Sequence, residues 1–225
     1  MSLPMSMSET SSDAPAAAPA KDTPKSLRTR ARILDCAMTL FAEVGVVAAA
    51  NPTIAERAGL TRGAMLYHFP TRELLVSSAA DHIQAARARL LTEVSEKARP
   101  GSDLAEQAID SYWALLHTTP FIAFAELEAA GRTDPMIAAA IAPAQRAFDE
   151  ARASEQFSRM LQAGSGPRFQ ASRDLARFML EGLSRAQLTY DEQARAANLL
   201  AVVKRVTHML NRKGDLQDPW PDDGR

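Results

Sequence analysis

The sequence predicts an all-α protein, and three observations carry that prediction. Alanine, leucine, glutamate and arginine dominate a chain that is 46% apolar but only 6% aromatic, and β-branched residues are sparse. Helix start and stop signals recur along its 225 residues. No stretch alternates apolar and polar residues with the period of a strand, and no internal repeat is present.

Each element has its own justification. Residues 1–25, "MSLPMSMSETSSDAPAAAPAKDTPK", are rich in Ser, Ala and Pro without apolar periodicity, so they read as a disordered tail. The first helix runs from Ser26 to Val44, with Ile33, Leu34, Ala37, Leu40, Phe41 and Val44 at helical spacing and Gly45 where a C-terminal cap belongs. A short second helix starts at Asn51, a good N-cap, with Pro52 in the first turn, and ends at Gly59. Thr61 caps a third helix that Pro70 closes, and Thr71 caps a fourth reaching about Ala98.

"RPGSD" then breaks the chain, Ser102 opens a fifth helix to about His117, and a sixth covers Phe121–Ala130. Asp134 and Pro135 form a cap-plus-first-turn signal for a seventh helix, which ends before "GSGP". Two final helices occupy about Ser172–Leu188 and Glu192–Asn211, and residues 214–225 form a second tail. The expected organisation is a three-helix unit over 26–72 followed by a six-helix unit over 73–213.

Composition narrows the function. The lone Cys36 excludes an internal disulfide and suits a reducing cytoplasm. No apolar run approaches the ~20 residues that span a bilayer, and the N-terminus lacks the pattern of a secretory signal. The net charge of −1 requires any nucleic-acid contact to come from a local patch. His68, His82, His117 and His208 lack metal-ligand spacing, and no nucleophile, base and orienter converge, so neither a metal nor another cofactor is expected. Cys36 reads as a small buried residue, a redox sensor being the other reading.

A local patch is present. "TIAERAGLTRGAMLYHF" reads as helix, glycine-containing turn, helix. Gly59 supplies the positive φ of the turn. Met65 and Phe69, spaced i, i+4, face inward, which places Arg62, Gly63, Leu66 and Tyr67 on the opposite side. A guanidinium, a bare backbone position and a phenol together fit a DNA major groove, and the N–H groups near Thr61 suit an anion. Arg28, Arg30, Arg32 and Arg72 add positive charge as phosphate clamps on either side. The spacing alone also fits an ordinary corner between two helices with solvated arginines.

The stretch from Arg28 to Leu75 resembles the DNA-binding domain of the tetracycline-repressor (TetR) family. The resemblance rests on "TRARILDCAMTLFAEVG" and "TIAERAGLTRGAMLYHFPTRELL". It implies a homodimer. Its reading helices enter successive major grooves of a near-palindromic operator, and a small-molecule effector releases the repressor. By that resemblance Thr61, Arg62, Gly63 and Ala64 fall at base or nearby backbone contacts, and Tyr67, His68 and Arg72 at phosphates. Leu66 stands where the family often has tyrosine, and "VVAAANP" replaces a Thr/Ser-rich lead into the second helix.

The resemblance further implies an effector cavity among the later helices, with the fourth helix as the lever. Tyr112, Trp113, His117, Phe121, Phe124, Glu128, Arg132, Met160, Phe178 and Met179 are the candidate lining residues, with Glu126 and Phe157 as lesser ones. Aromatic and methionine residues at helical spacing also serve a core equally well. The last two helices are the expected homodimer interface; Leu175, Phe178, Met179, Leu183 and Leu188, with Leu199, Val202, Val203, Val206 and Leu210, provide stripes for both the core and a partner, and the sequence does not assign each residue to one side. Two rival readings remain: a helical dimer that binds small molecules or partners without DNA, and an enzyme on a helical scaffold.

Overall fold

The computed structural model describes residues 23–97, 103–154 and 166–211. Among them are nine α-helices and no strand: α1 (Pro24–Ala48), α2 (Asn51–Arg57), α3 (Arg62–His68), α4 (Arg72–Glu96), α5 (Leu104–Leu116), α6 (Thr119–Gly131), α7 (Pro135–Ala153), α8 (Pro167–Arg185) and α9 (Glu192–Asn211). None of these helices is long and apolar enough to cross a membrane.

Local side-chain chemistry sets most boundaries. Thr61 Oγ1 accepts from the Ala64 amide at 3.2 Å and Thr71 Oγ1 from the Leu74 amide at 3.1 Å, as their cap positions predict. Asp134 Oδ1 accepts from Met136 and Ile137 at 2.9 and 3.3 Å and starts α7. Gly45, at φ +77°, interrupts the helical backbone of α1 where a cap was expected, and Gly59, at φ +65°, turns the chain between α2 and α3.

Several boundaries differ from the sequence expectation; α1 also runs on to Ala48 rather than ending at Val44, and α8 ends at Arg185 rather than about Leu188. The first helix starts earlier, at Pro24, because Thr23 Oγ1 accepts from the Ser26 amide at 3.2 Å; residues 23–25 therefore do not belong to a disordered tail. Asn51 is the first residue of α2 rather than its cap, and its Oδ1 accepts from Arg72 instead. The α6 helix begins at Thr119, with Pro120 in the first turn. The α8 helix begins at Pro167, five residues before Ser172, behind Gly166 at φ +100°. The expected ends at Ala98 and Ser102, and the tails 1–22 and 214–225, lie outside the described residues.

Packing joins the N-terminal helices to the rest. One continuous apolar cluster contains Ile33, Ala37 and Phe41 of α1, Ile54 of α2 and Met65 of α3. It extends through Leu75, Val76 and Ile83 of α4 to Phe124 and Leu127 of α6 and Ile141 of α7. Burying each of its larger side chains stabilises the fold by about 1.5–3 kcal/mol. The α1 helix packs directly against α6, and α4 against α7. The N-terminal unit therefore connects with the larger one through α1 as well as through α4. A second cluster, with Ile109, Tyr112, Leu115, Phe121, Leu180 and Val203, holds α5, α6, α8 and α9 together.

Candidate functional site

The outward side of α3 is built by what lies beneath it. Met65 and the following Phe69 are 1% and 0% exposed. This anchoring turns Arg62, Gly63, Leu66 and Tyr67 to solvent, and Thr61 is exposed beside them. Neither the Arg62 guanidinium nor the Tyr67 hydroxyl has a hydrogen-bond partner among the described residues. The Tyr67 and His68 rings meet in a T-shaped arrangement, 5.2 Å between centroids. Ala64 and His68 are half-buried.

Gly63 is informative. Its φ is not positive, and a Cβ there would meet nothing within 4 Å. Glycine costs a helix about 1 kcal/mol relative to alanine, and nothing in this chain's own packing requires it.

The arginines expected as phosphate clamps divide. Arg28 and Arg32 are exposed on α1. Arg30 instead donates through Nη1 to the His68 carbonyl at 2.8 Å and lies over the Phe69 ring at 4.5 Å, tying α1 to the end of α3. Arg72 is likewise committed inward. Its Nη1 donates to the Ala49 carbonyl and Asn51 Oδ1 at 2.9 and 3.2 Å, and its Nη2 to the Val46 carbonyl at 2.7 Å. Burial pushes its pKa down. In this structure Arg72 thus braces α4 against the α1–α2 connection.

In the larger unit, a cavity of about 610 Å³ lies between α4, α6, α7 and α8. Phe124, Glu128, Arg132 and Phe178 line it, together with Gln84, Arg87, Ile141 and Phe148. Phe121 lines a smaller cavity of about 250 Å³ that shares Arg87, Phe124 and Glu128 with the first.

Four expected lining residues lie elsewhere. Tyr112 is buried in the second cluster, where its hydroxyl donates to Glu181 Oε1 at 2.7 Å; burial, then the nearby carboxylate, raise its pKa. Trp113 and Met179 pack against that cluster. His117 is exposed, and its Nδ1–H donates to the Trp113 carbonyl at 2.8 Å. None of the four lines either cavity. Met160 and Phe157 lie outside the described residues.

Arg87 and Gln84 were missed because "DHIQAARARL" reads as a solvated helix face. Arg87 is 7% exposed, its guanidinium stacked at 4.3–4.8 Å from the rings of Phe121, Phe124 and Phe148, which come from two other helices. The histidines also meet partners that spacing does not reveal. His208 of α9 lies 3.1 Å from Asp103 and 3.4 Å from Glu106, an exposed group that also caps α5 through Asp103. Cys36 is half-buried against the first cluster, and burial pushes its thiol pKa up.

Comparison with known proteins adds independent findings. Residues 33–79 match the family model of bacterial regulatory proteins, tetR family. A stretch of 89 residues is 36% identical to the HTH-type transcriptional repressor Rv3405c of Mycobacterium tuberculosis, covering 36% of this chain and 47% of that protein. The chain thus spans about half the length of the curated relatives it matches first. Among solved structures, Salmonella enterica GusR superposes with a TM-score of 0.60 at 21% identity, over 85% of this chain and 98% of its own. The multidrug binding protein EbrR, complexed with imidazole, also superposes with a TM-score of 0.60 at 21% identity, over 84% and 98% of the two chains. At these identities the structural likenesses establish the fold.

Proposed function

We propose that the chain is a sequence-specific DNA-binding repressor released by a small molecule, a reading supported by the match of residues 33–79 to the family model of bacterial regulatory proteins, tetR family. The observation that carries the reading is the outward side of α3. There an unpaired guanidinium at Arg62, an unpaired phenol at Tyr67 and an intramolecularly unexplained glycine at Gly63 stand together on a well-anchored frame. In a major groove Arg62 reads a guanine edge, Gly63 and Ala64 admit close approach, and Leu66 meets a thymine methyl. Thr61, Tyr67 and His68 face phosphate or backbone, and Arg28 contacts phosphate from α1. Arg30 and Arg72 act by bracing the head.

The homodimer is proposed through α8 and α9. Leu175 and Phe178 on α8, and Leu199, Val202 and Met209 on α9, form apolar stripes exposed on the isolated chain. Two such helices from each copy close a four-helix interface by twofold symmetry.

Release follows from shared walls. The α6 helix contributes Phe124, Ala125 and Glu128 to the cavity and Ala123, Leu127 and Ala130 to the cluster containing α1. The α4 helix contributes Gln84 and Arg87 to the cavity and Leu75, Val76 and Ala79 to that cluster. A ligand that favours one arrangement of α4 and α6 shifts the spacing of the paired heads; equal affinity for both arrangements shifts nothing.

The test is Arg62→Ala, assayed on duplexes that the wild-type protein selects from a randomised pool. Loss of a bidentate arginine–guanine contact predicts about 1–3 kcal/mol weaker binding per half-site, with unchanged melting temperature and dimerisation. A DNA-free dimer or an enzyme predicts no DNA phenotype, and wild-type retention by the mutant overturns the assignment of α3.

A further inference from the structure

Arg87 poses a problem that the fold does not solve by itself. It is 93% buried, yet no carboxylate lies within ion-pair distance of it among the described residues. Its Nη1 donates to Gln84 Oε1 at 2.9 Å, and its Nε–H has no acceptor. A guanidinium only donates, so the Gln84 atom facing it must be oxygen. That orientation leaves the Gln84 Nε2 as a second buried donor without an acceptor. Two donors, one of them charged, therefore stand unmet in the wall of one cavity.

The rest of the wall does not meet them. Glu128 accepts from Arg185 at 2.9 Å and from Gln145 at 3.0 Å. Asp149 accepts from Arg177 at 2.7 Å, and Glu181 from the Tyr112 hydroxyl at 2.7 Å. The faces of Phe121, Phe124 and Phe148 attract the guanidinium but offer its N–H groups no carboxylate. Beside these polar and charged groups the wall carries an apolar set, Ala125, Ala138, Ile141, Phe124 and Phe148.

We propose that the effector is a hydrophobic carboxylate, its carboxylate held by Arg87 and Gln84 and its apolar body lying along Phe124, Ile141 and Phe148. The inference rests on the cavity being the effector site and names the chemistry of what enters it. The planar fork of Arg87 suits two carboxylate oxygens, and the Gln84 amide supplies a further N–H.

The experiment is calorimetric titration of the full-length protein with 4-phenylbutyrate and octanoate, each beside its neutral amide. At least one acid binds, and its amide binds about tenfold more weakly or worse, since the charge-assisted hydrogen bonds are lost. Arg87→Met reduces the acid to the affinity of the amide while circular dichroism stays that of the wild type. Should Arg87→Met fail to fold, Gln84→Met decides: it weakens the acid several-fold and leaves the amide unchanged. Equal binding of acid and amide, binding of neither acid at millimolar concentration, or wild-type acid affinity in folded Arg87→Met or in Gln84→Met overturns the proposal. The same preparations are tested for retention of selected duplexes. Retained DNA with no acid preference refutes the carboxylate alone, whereas acid binding without DNA retention refutes the repressor reading alone.

Discussion

Replacing Arg72 with methionine separates two roles that an arginine at a helix start can play. The substitution keeps most of the stem and removes three hydrogen bonds, to the Ala49 carbonyl, Asn51 Oδ1 and the Val46 carbonyl, at 2.9, 3.2 and 2.7 Å. It also removes the guanidinium 5.7 Å from the centre of the Phe41 ring. At about 1–1.5 kcal/mol for each of these partly solvated hydrogen bonds, the loss is about 3–4.5 kcal/mol. For a chain of this size that corresponds to a fall in melting temperature of about 6–18 °C. The assay pairs a thermal melt with DNA retention measured across salt concentrations at a temperature where the mutant stays folded. A brace predicts the large drop in Tm and an unchanged salt slope. A phosphate clamp predicts the reverse, with a near-native melt and a log–log salt slope shallower by about 0.9. That second outcome would refute the structural role assigned to Arg72.

Other expectations follow from the same contacts. Phe41→Ala, at a position 0% exposed in the shared cluster, should cost about 3–5 kcal/mol in chemical denaturation. A loss below about 1 kcal/mol would mean that the cluster is not well packed there. Val202→Asp places a charge in the exposed stripe of α9 and should convert the dimer to monomer in sedimentation without unfolding it; an intact dimer would move the interface elsewhere. Cys36, with its pKa raised by burial, should react slowly with iodoacetamide near neutral pH. The rate should rise only at alkaline pH, above the range of an ordinary thiol, because the thiolate is the nucleophile. Rapid alkylation at pH 7 would contradict the half-buried placement.

What the sequence made legible was local chemistry. Thr61, Thr71 and Asp134 cap helices through amides two or three residues away, so their roles are written in adjacent residues. Gly45 and Gly59 take the positive φ that their turn positions require. The inward pair Met65 and Phe69 follows from helical spacing alone. Long-range commitments were not legible. Arg72 and Arg28 look alike in the chain, but the acceptors of Arg72 lie 21 to 26 residues upstream.

Arg87 shows the same limit more sharply. It sits two residues from Arg89, which is exposed, and only the arrival of α6 and α7 with three phenyl rings turns one of the pair into a buried cation. Tyr112 and Trp113 invert the case. Their aromatic character fits a cavity or a core equally well, and the packing of α5 against α8 and α9 decides for the core.

The measurement that bears most directly on the central claim is recovery of duplexes from a fully randomised pool by the purified protein. The account predicts enrichment of a dyad-related sequence whose half-sites lie about one helical turn, or a multiple of it, apart, and predicts that Arg62→Ala no longer enriches it. Recovery of duplexes with no shared sequence, or the same enrichment by wild type and Arg62→Ala, would contradict it.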